Sequence, residues 1–167
     1  DYRNLTGQYD KLVSIEVIEA VGHELYQNYF RSCADLLKQD GKMVIQAITV
    51  ADQRYQAARD SVDFIQRYIF PGGCLPSVAV MAEHIATDTD MQIVHLRDIT
   101  RDYATTLAHW RERFLANLDA VRSMGFSEEF VRMWEFYLCY CEGGFRERII
   151  STVQMAFAKP GYRFANS

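Results

Sequence analysis

The first third of the chain predicts a strand, a helix and a second strand. Residues 12–15 form a short apolar run, which is typical of a buried parallel strand. Apolar positions at helical spacing predict a helix over residues 22–37, and a second apolar run predicts a strand over residues 43–49, after a turn at Gly41. This order of elements indicates a βαβ unit with a parallel sheet.

Beyond residue 50, helical and extended patterns alternate. An amphipathic helical pattern covers residues 52–70, and a helix with Ser77 as its N-cap is predicted over residues 77–86. Alternating apolar positions predict strands over residues 91–98 and 151–158. The fold class that follows from these elements is α/β.

A large helical insertion separates the last two strands. Residues 102–148 carry aromatic and aliphatic side chains at helical spacing, with a break at Gly125 and a new helix start at Ser127. An insertion of this size between neighbouring strands predicts a lid or an added layer. Its aromatic stripes either pack the lid or line an apolar ligand channel.

Prolines and glycines are concentrated in the loop of residues 68–77. Pro71 and Pro76 fix φ at two points, while Gly72 and Gly73 permit conformations closed to other residues. We therefore expect a rigid, shaped loop that ends where the next helix begins.

Composition and charge exclude several functions. The formal net charge of −4 lacks the basic footprint of a nucleic-acid-binding protein. No apolar run is long enough to span a bilayer, and the polar start predicts no signal peptide. The four cysteines form no C-x-x-C pair, and the four histidines show no ligand spacing. We expect buried or half-buried free thiols in a reducing cytosol, and no metal site.

The chain lacks the glycine-rich turn that holds nucleotide-like ligands in a doubly wound sheet. No G-x-G-x-x-G occurs, and the glycine pair at 143–144 follows a helix instead of a strand. The predicted strands form only the later half of such a sheet, whose edge would be exposed. We expect either upstream sequence or a partner to cover that edge, and a homo-oligomer formed by strand exchange is one such arrangement.

Four segments carry a resemblance to one enzyme family. They are residues 13–22 (VSIEVIEAVG), 68–77 (YIFPGGCLPS), 102–114 (DYATTLAHWRERF) and 137–148 (YLCYCEGGFRER). In the same order, they resemble segments of the cyclopropane-fatty-acyl-phospholipid synthases and the related mycolic acid cyclopropane synthases. The resemblance covers nearly the whole chain and is closest to the C-terminal part of the family.

The resemblance implies a fold and a division of the chain. The family has the Rossmann-like, seven-stranded sheet of class I S-adenosylmethionine-dependent methyltransferases. This chain would be the C-terminal part of that sheet with a helical lid insertion. Residues 1–100 would hold the later βαβ units, 101–149 the lid, 150–158 the last strand and 159–167 a tail.

The resemblance also implies a reaction. A methyl group passes from S-adenosylmethionine to a cis double bond of a phospholipid acyl chain, which leaves a carbocation. A base, bound bicarbonate in this family, removes a proton from the added methyl group, and the cyclopropane ring closes. The implied location is cytoplasmic and peripheral to the inner membrane face, with the unsaturated acyl chains at the membrane surface as partners. Most cofactor contacts would lie upstream, so we expect this chain alone to be inactive.

The family's site residues carry over onto four positions. Glu19 corresponds to the glutamate that holds bicarbonate, and Tyr103 to the tyrosine whose hydroxyl completes the site; these two are the predicted catalytic residues. Ile48 corresponds to a position whose backbone contacts bicarbonate. Gln46 replaces the usual histidine, and it can bind an anion but cannot carry positive charge or shuttle a proton. Glu16 is a candidate second carboxylate.

Two alternatives stay open. Gln46 suggests the same family with another outcome, in which methyl transfer without ring closure gives a methyl-branched or methylene lipid. The missing glycine loop suggests a non-catalytic module for lipid binding or assembly.

Overall fold

The computed structural model describes residues 2–163, which fall into two compact units. The first unit comprises the described residues up to Asp98 and from Thr152 onward, and the second comprises Ile99–Ser151. The predicted tail at 159–167 lies partly outside the described residues.

The first unit contains the sheet and five α-helices. The four strands are β1 (Tyr9–Ile15), β2 (Leu37–Val50), β3 (Gln92–Asp98) and β4 (Ile150–Ala158). The helices are α1 (Ile18–Val21), α2 (Tyr26–Asp35), α3 (Tyr55–Arg59), α4 (Phe64–Tyr68) and α5 (Val78–Asp88). Short 3-10 turns cover Tyr2–Asn4, His23–Leu25 and Asp52–Arg54.

The strands lie in the order β1-β2-β4-β3. β1 and β2 are parallel, which confirms the predicted βαβ unit, and β3 and β4 are antiparallel. The Lys159 N–H donates to the Gly41 carbonyl at 3.0 Å, and the Gly161 N–H donates to Gln39 at 2.9 Å. Residue numbers rise along one strand as they fall along the other, so β2 and β4 also run antiparallel.

The core lies between one sheet face and helices α2 and α5. Its largest buried side chains come from both helices and from β2 and β4: Tyr26, Tyr29, Phe30, Met43, Ile45, Met81 and Phe157. β1 is the last strand in the order, so the described residues leave its outer edge without a neighbour, as predicted. The expectation that β1 is a buried strand is wrong: Val13 and Ile15 are 66% and 60% exposed, because no described element packs over the face that carries them.

The structure differs from three further expectations. β2 begins at Leu37 and runs through Gly41, which is a strand residue and not a turn, because the segment after β4 pairs with it. The pattern over 52–70 is not one helix: α3 ends at Arg59, and the capping box of Asp63 starts α4. Cys139 is exposed, although buried or half-buried thiols were expected.

The second unit consists of α6 (Thr100–Ala116), α7 (Leu118–Ser123) and α8 (Glu128–Arg146). The predicted break is confirmed: Gly125 has a φ of +89°, and the Ser127 hydroxyl accepts from the Phe130 N–H at the start of α8. From the connection before α8 into that helix, consecutive aromatic rings lie 4.3 to 5.6 Å apart in the row Phe126, Phe130, Trp134 and Tyr137. Among the described residues, no helix combines the length and apolarity needed to cross a membrane.

Candidate active site

The candidate site lies where the parallel strands β1 and β2 end. Carboxyl ends of adjacent parallel strands meet at one edge of a sheet, where ligands bind in open α/β folds. β1 ends at Ile15, which pairs with Gln46 on β2. The chain then turns through Glu16 at a φ of +53° and enters the short helix α1, which carries Glu19.

Glu19 connects α1, which follows β1, to the end of β2. Its Oε1 accepts a hydrogen bond from the backbone N–H of Ile48 at 2.5 Å. Its Oε2 is buried and has no hydrogen-bond partner among residues 2–163. A buried carboxyl oxygen without a donor is costly, so this atom marks a place where a ligand that donates a hydrogen bond would be stabilised.

Burial shifts the protonation of Glu19. Desolvation of the carboxyl, with a smaller contribution from the nearby charge of Glu16, raises its pKa to about 7, against the lowering effect of hydrogen bonds from the backbone N–H groups of Ile48 and of Glu19 itself. The carboxyl can therefore accept or release a proton near neutral pH, as a general base or acid requires.

Gln46 is held on both sides by polar side chains. Its Nε2 donates to Glu16 Oε1 at 2.9 Å, and its Oε1 accepts from Gln154 Nε2 on β4 at 2.9 Å. The sequence resemblance left Glu16 as a candidate and did not point to Gln154. The signal for Gln154 was its polarity within a strand whose neighbouring positions, Val153 and Met155, are buried.

The residues at this edge fit an anion such as bicarbonate only in part. Glu19 Oε2 can accept its O–H, and the second Nε2 hydrogen of Gln46 can donate to its oxygens. The N–H of Ile48, expected to face bicarbonate, already donates to Glu19. The candidate ligand set in the first unit is thus Glu19 and Gln46, with Ile48 acting through Glu19.

The proline–glycine loop is attached directly to the site helix. The Cys74 N–H donates to the Glu19 carbonyl at 2.8 Å, and the buried Tyr26 hydroxyl donates to the Cys74 carbonyl at 2.6 Å. A Cβ on Gly73 would lie 3.1 Å from the Phe70 carbonyl oxygen and 3.4 Å from that of Glu19, which explains the glycine. The loop therefore supports the backbone that presents Glu19.

Replacing Tyr26 by phenylalanine is expected to lower the free energy of unfolding by about 1–2 kcal/mol, because the buried Cys74 carbonyl loses its hydroxyl donor. Amide hydrogen exchange should also accelerate in the loop of residues 68–77. Tyr29→Phe is the matched control, since it removes a buried hydroxyl that donates to Ser14 Oγ, away from the loop. Equal acceleration of loop exchange in both variants would contradict the proposed attachment.

Tyr103, the fourth predicted site residue, belongs to the second unit. It lies in the first turns of α6, and its half-buried ring packs on Phe145 with ring centroids 4.7 Å apart and on Trp110 at 6.5 Å. The first unit brings Glu19, Gln46 and Ile48 together. That Tyr103 completes their site stays a prediction.

The fold defines the class of protein. The crystal structure of mycolic acid cyclopropane synthase CmaA1, complexed with SAH and CTAB, superposes with a TM-score of 0.85 at 28% identity, over 95% of this chain and 58% of that one. The chain accordingly has the α/β fold of the class I S-adenosylmethionine-dependent methyltransferases and corresponds to the C-terminal portion.

The family follows from the sequence itself. The family model described as mycolic acid cyclopropane synthetase matches residues 1–155, and the chain belongs to this family of S-adenosylmethionine-dependent lipid methyltransferases. It is 42% identical over 161 residues to the tuberculostearic acid methyltransferase of Mycobacterium tuberculosis, covering 96% of this chain and 38% of that protein. It is 37% identical over 159 residues to the cyclopropane-fatty-acyl-phospholipid synthase of Escherichia coli, covering 95% and 40%. The chain spans about two fifths of the length of these curated relatives.

Proposed function

We propose that this chain is the C-terminal portion of an enzyme that methylates a cis double bond of a phospholipid acyl chain and closes a cyclopropane ring. S-adenosylmethionine is the proposed methyl donor. The observation that carries the proposal is Glu19, a carboxyl at the strand ends. One of its oxygens is fixed by Ile48, and the other is buried and has no partner in the described part of the chain.

The reaction needs a site that tolerates a cation and removes a proton. Methyl transfer to one alkene carbon leaves a carbocation on the other. Loss of a proton from the added methyl group then supplies the electron pair that closes the ring. The carboxylate of Glu19, in surroundings of low polarity, would stabilise the developing positive charge.

Bicarbonate, when bound, would supply the proton acceptor for the last step. Glu19 Oε2 and the free amide hydrogen of Gln46 are the first-unit groups that would orient it, and Tyr103 is the proposed third. The pKa of Glu19, raised by burial to about 7, would let the same carboxyl take up the proton afterwards.

The second candidate function is methyl transfer without ring closure, giving a methyl-branched or methylene lipid. Its specific support is Gln46, which is neutral and has its amide engaged by Glu16 and Gln154. The 42% identity to a protein named tuberculostearic acid methyltransferase also supports this candidate. Both candidates share the methyl transfer and differ in the fate of the carbocation. In the second, the cation loses a proton from a neighbouring chain carbon or, once a hydride shift has moved the charge to the methyl-bearing carbon, from the added methyl group. The electron pair of that C–H bond forms a double bond, which gives a methyl-branched alkene or a methylene group.

Product analysis tests the proposal and separates the two candidates. The full-length protein would be incubated with S-adenosylmethionine labelled with deuterium on the methyl group and with vesicles of a cis-monounsaturated phospholipid. Ring closure leaves two of the three deuterium atoms on a ring carbon, which NMR and mass spectrometry identify. Vinylic methylene signals or a branched methyl group would establish the second candidate, and an unchanged lipid would refute both.

Substituting Gln46 by histidine is expected to raise the fraction of cyclopropane product if the wild-type protein makes a ringless lipid. Neutral histidine can still donate to Glu16 and accept from Gln154, and it can take up a proton on the accepting nitrogen in exchange for the bond from Gln154. Gln46→Leu, whose side chain can neither form hydrogen bonds nor carry a proton, should lower turnover without increasing the fraction of cyclopropane product. Product ratios that are the same in all three proteins would show that position 46 does not set the outcome.

The lipid substrate also accounts for the aromatic row of the second unit. The row starts at Phe126, before α8, and continues along that helix to Tyr137, which gives an extended apolar surface of a kind that suits acyl chains. A cytoplasmic enzyme working at the inner membrane surface, without nucleic-acid partners, is the setting we propose.

The contacts to S-adenosylmethionine are proposed to lie mainly outside these 167 residues, since none of the described strands leads into a glycine-rich turn. Calorimetric titration of this chain with S-adenosylmethionine tests this point. Micromolar binding by the chain alone would overturn it. Lipid binding by the full-length protein without any product would instead indicate the non-catalytic module.

A further inference from the structure

Three polar side chains form a continuous chain of hydrogen bonds across the sheet. Gln154 on β4 donates to Gln46 on β2 at 2.9 Å, and Gln46 donates to Glu16 at the end of β1 at 2.9 Å. All three residues are half-buried. These hydrogen bonds therefore connect Gln154, on a strand with no predicted site residue, to Glu16, which precedes Glu19 by three residues in the sequence.

The chemistry of the three groups fixes the direction of these bonds. The carboxylate of Glu16 can only accept hydrogen bonds, so Gln46 must turn its Nε2 toward it. The Oε1 of Gln46 then faces Gln154, which must donate. Gln154 thus stabilises one of the two orientations of the Gln46 amide and disfavours the flipped one.

The backbone of Glu16 is strained, and Gln46 holds it in place. Its φ of +53° lies in the left-handed region, where a side chain such as glutamate is strained. Its N–H donates to the Gln46 carbonyl at 2.9 Å, so Gln46 holds Glu16 through both main chain and side chain.

We propose that Gln154 is a positioning residue, which holds the donor end of the Gln46 amide toward Glu16 and the edge of the sheet that carries Glu19. This inference rests on the proposed function and assigns Gln154 a part in it. With the amide in this orientation, its second Nε2 hydrogen is available to an anionic group at that edge. The flipped amide would present a carbonyl oxygen there and repel such a group.

The test reverses the direction of the hydrogen bonds. In Gln154→Glu, a nearly isosteric change, residue 154 can only accept hydrogen bonds. Gln46 must therefore either lose this bond or flip its amide, which places its Oε1 next to the carboxylate of Glu16, where the two oxygens repel each other. We expect kcat of the full-length protein to fall about tenfold, the rate equivalent of losing one hydrogen bond, with KM little changed. The urea midpoint should fall as well. Gln92→Glu adds the same charge at an exposed position of β3 and should change neither quantity.

The double variant Glu16→Gln/Gln154→Glu separates positioning from stability. Here Gln46 can donate to the carboxylate introduced at position 154 and accept from the amide introduced at position 16, so every bond is restored in the reverse direction. We expect the urea midpoint to recover while kcat stays about tenfold low, because the donor now points away from Glu19. Glu16→Gln alone keeps an acceptor for Gln46 and should lose less activity than the double variant.

Two results would overturn the inference. Recovery of kcat together with the midpoint would show that the amide orientation does not matter for the reaction. An unchanged midpoint and kcat in Gln154→Glu would show that the network does not exist. If the wild-type protein makes no product, the proposed function fails, but the urea midpoints still test the network on their own.

Discussion

Replacing Glu19 by glutamine is expected to lower kcat of the full-length protein by about 100-fold or more, the usual contribution of a positioned acid–base group. Glutamine can keep the bond from the Ile48 N–H through its amide oxygen. Its second terminal atom becomes a nitrogen that donates, where Oε2 of Glu19 is buried and free to accept. The variant also removes the negative charge proposed to stabilise the carbocation. Initial rates of lipid methylation measure the effect.

The effect of Glu19→Gln on kcat is compared with that of a control variant that removes one negative charge outside the candidate site. Glu24→Gln provides it, because Glu24 is exposed on the 3-10 turn His23–Leu25 that follows α1. Binding of S-adenosylmethionine to both variants should match the wild type, which would show that the fold is intact. A Glu19→Gln variant whose kcat stays within about tenfold of the control would exclude Glu19 from the chemistry.

Much of the fold could be predicted from local pattern. The parallel pair β1–β2, the N-caps at Ser77 and Ser127 and the break at Gly125 all follow from side-chain properties that act within a few residues. The wrong prediction of a turn at Gly41 concerns a contact between residues that are distant in the sequence. β2 begins before Gly41 and continues through it because residues beyond β4 pair with this segment, and the sequence around Gly41 does not predict that pairing.

The site was predicted by resemblance more than by pattern. Glu19 lies in a four-residue helix, and its prediction as a site residue came from the matched motif. The structure adds what a motif cannot contain: one carboxyl oxygen that no described residue contacts by a hydrogen bond, and a link from Glu19 through Cys74 to Tyr26. Gln154 was missed because it is more than 100 residues away in sequence from Gln46, and only the sheet order brings them together.

The proline–glycine loop has a clearer role once these links are known. A rigid interhelical turn would need only its two prolines. Instead, Cys74 bonds to the carbonyl of Glu19, and Gly73 gives the space for that approach. The conformation of the loop and the position of the candidate catalytic carboxyl are therefore coupled, so that substitutions in the loop should act on turnover without touching a ligand.

The free energy of unfolding is expected to fall by about 3 kcal/mol as pH rises from about 4.5 to about 7, because of Glu19 alone. Burial raises the pKa of this carboxyl from 4.5 to about 7, so between these values the folded protein retains a proton that the unfolded chain has lost. The unfolded state binds fewer protons in that window, and stability must therefore decrease with rising pH. Below and above the window the contribution of Glu19 does not change.

Glu19→Gln should remove this pH dependence, because glutamine does not titrate. The variant is then expected to be more stable than the wild type by about 3 kcal/mol at pH 8 and nearly equal to it at pH 4.5. Urea unfolding at both pH values measures the difference, and Glu24→Gln, which alters an exposed carboxyl, should follow the wild type. Parallel pH profiles for wild type and Glu19→Gln would mean that the carboxyl is not held in a desolvated site. An inactive variant that is more stable at pH 8 is the result expected if burial of this charge is maintained for catalysis at a cost in stability.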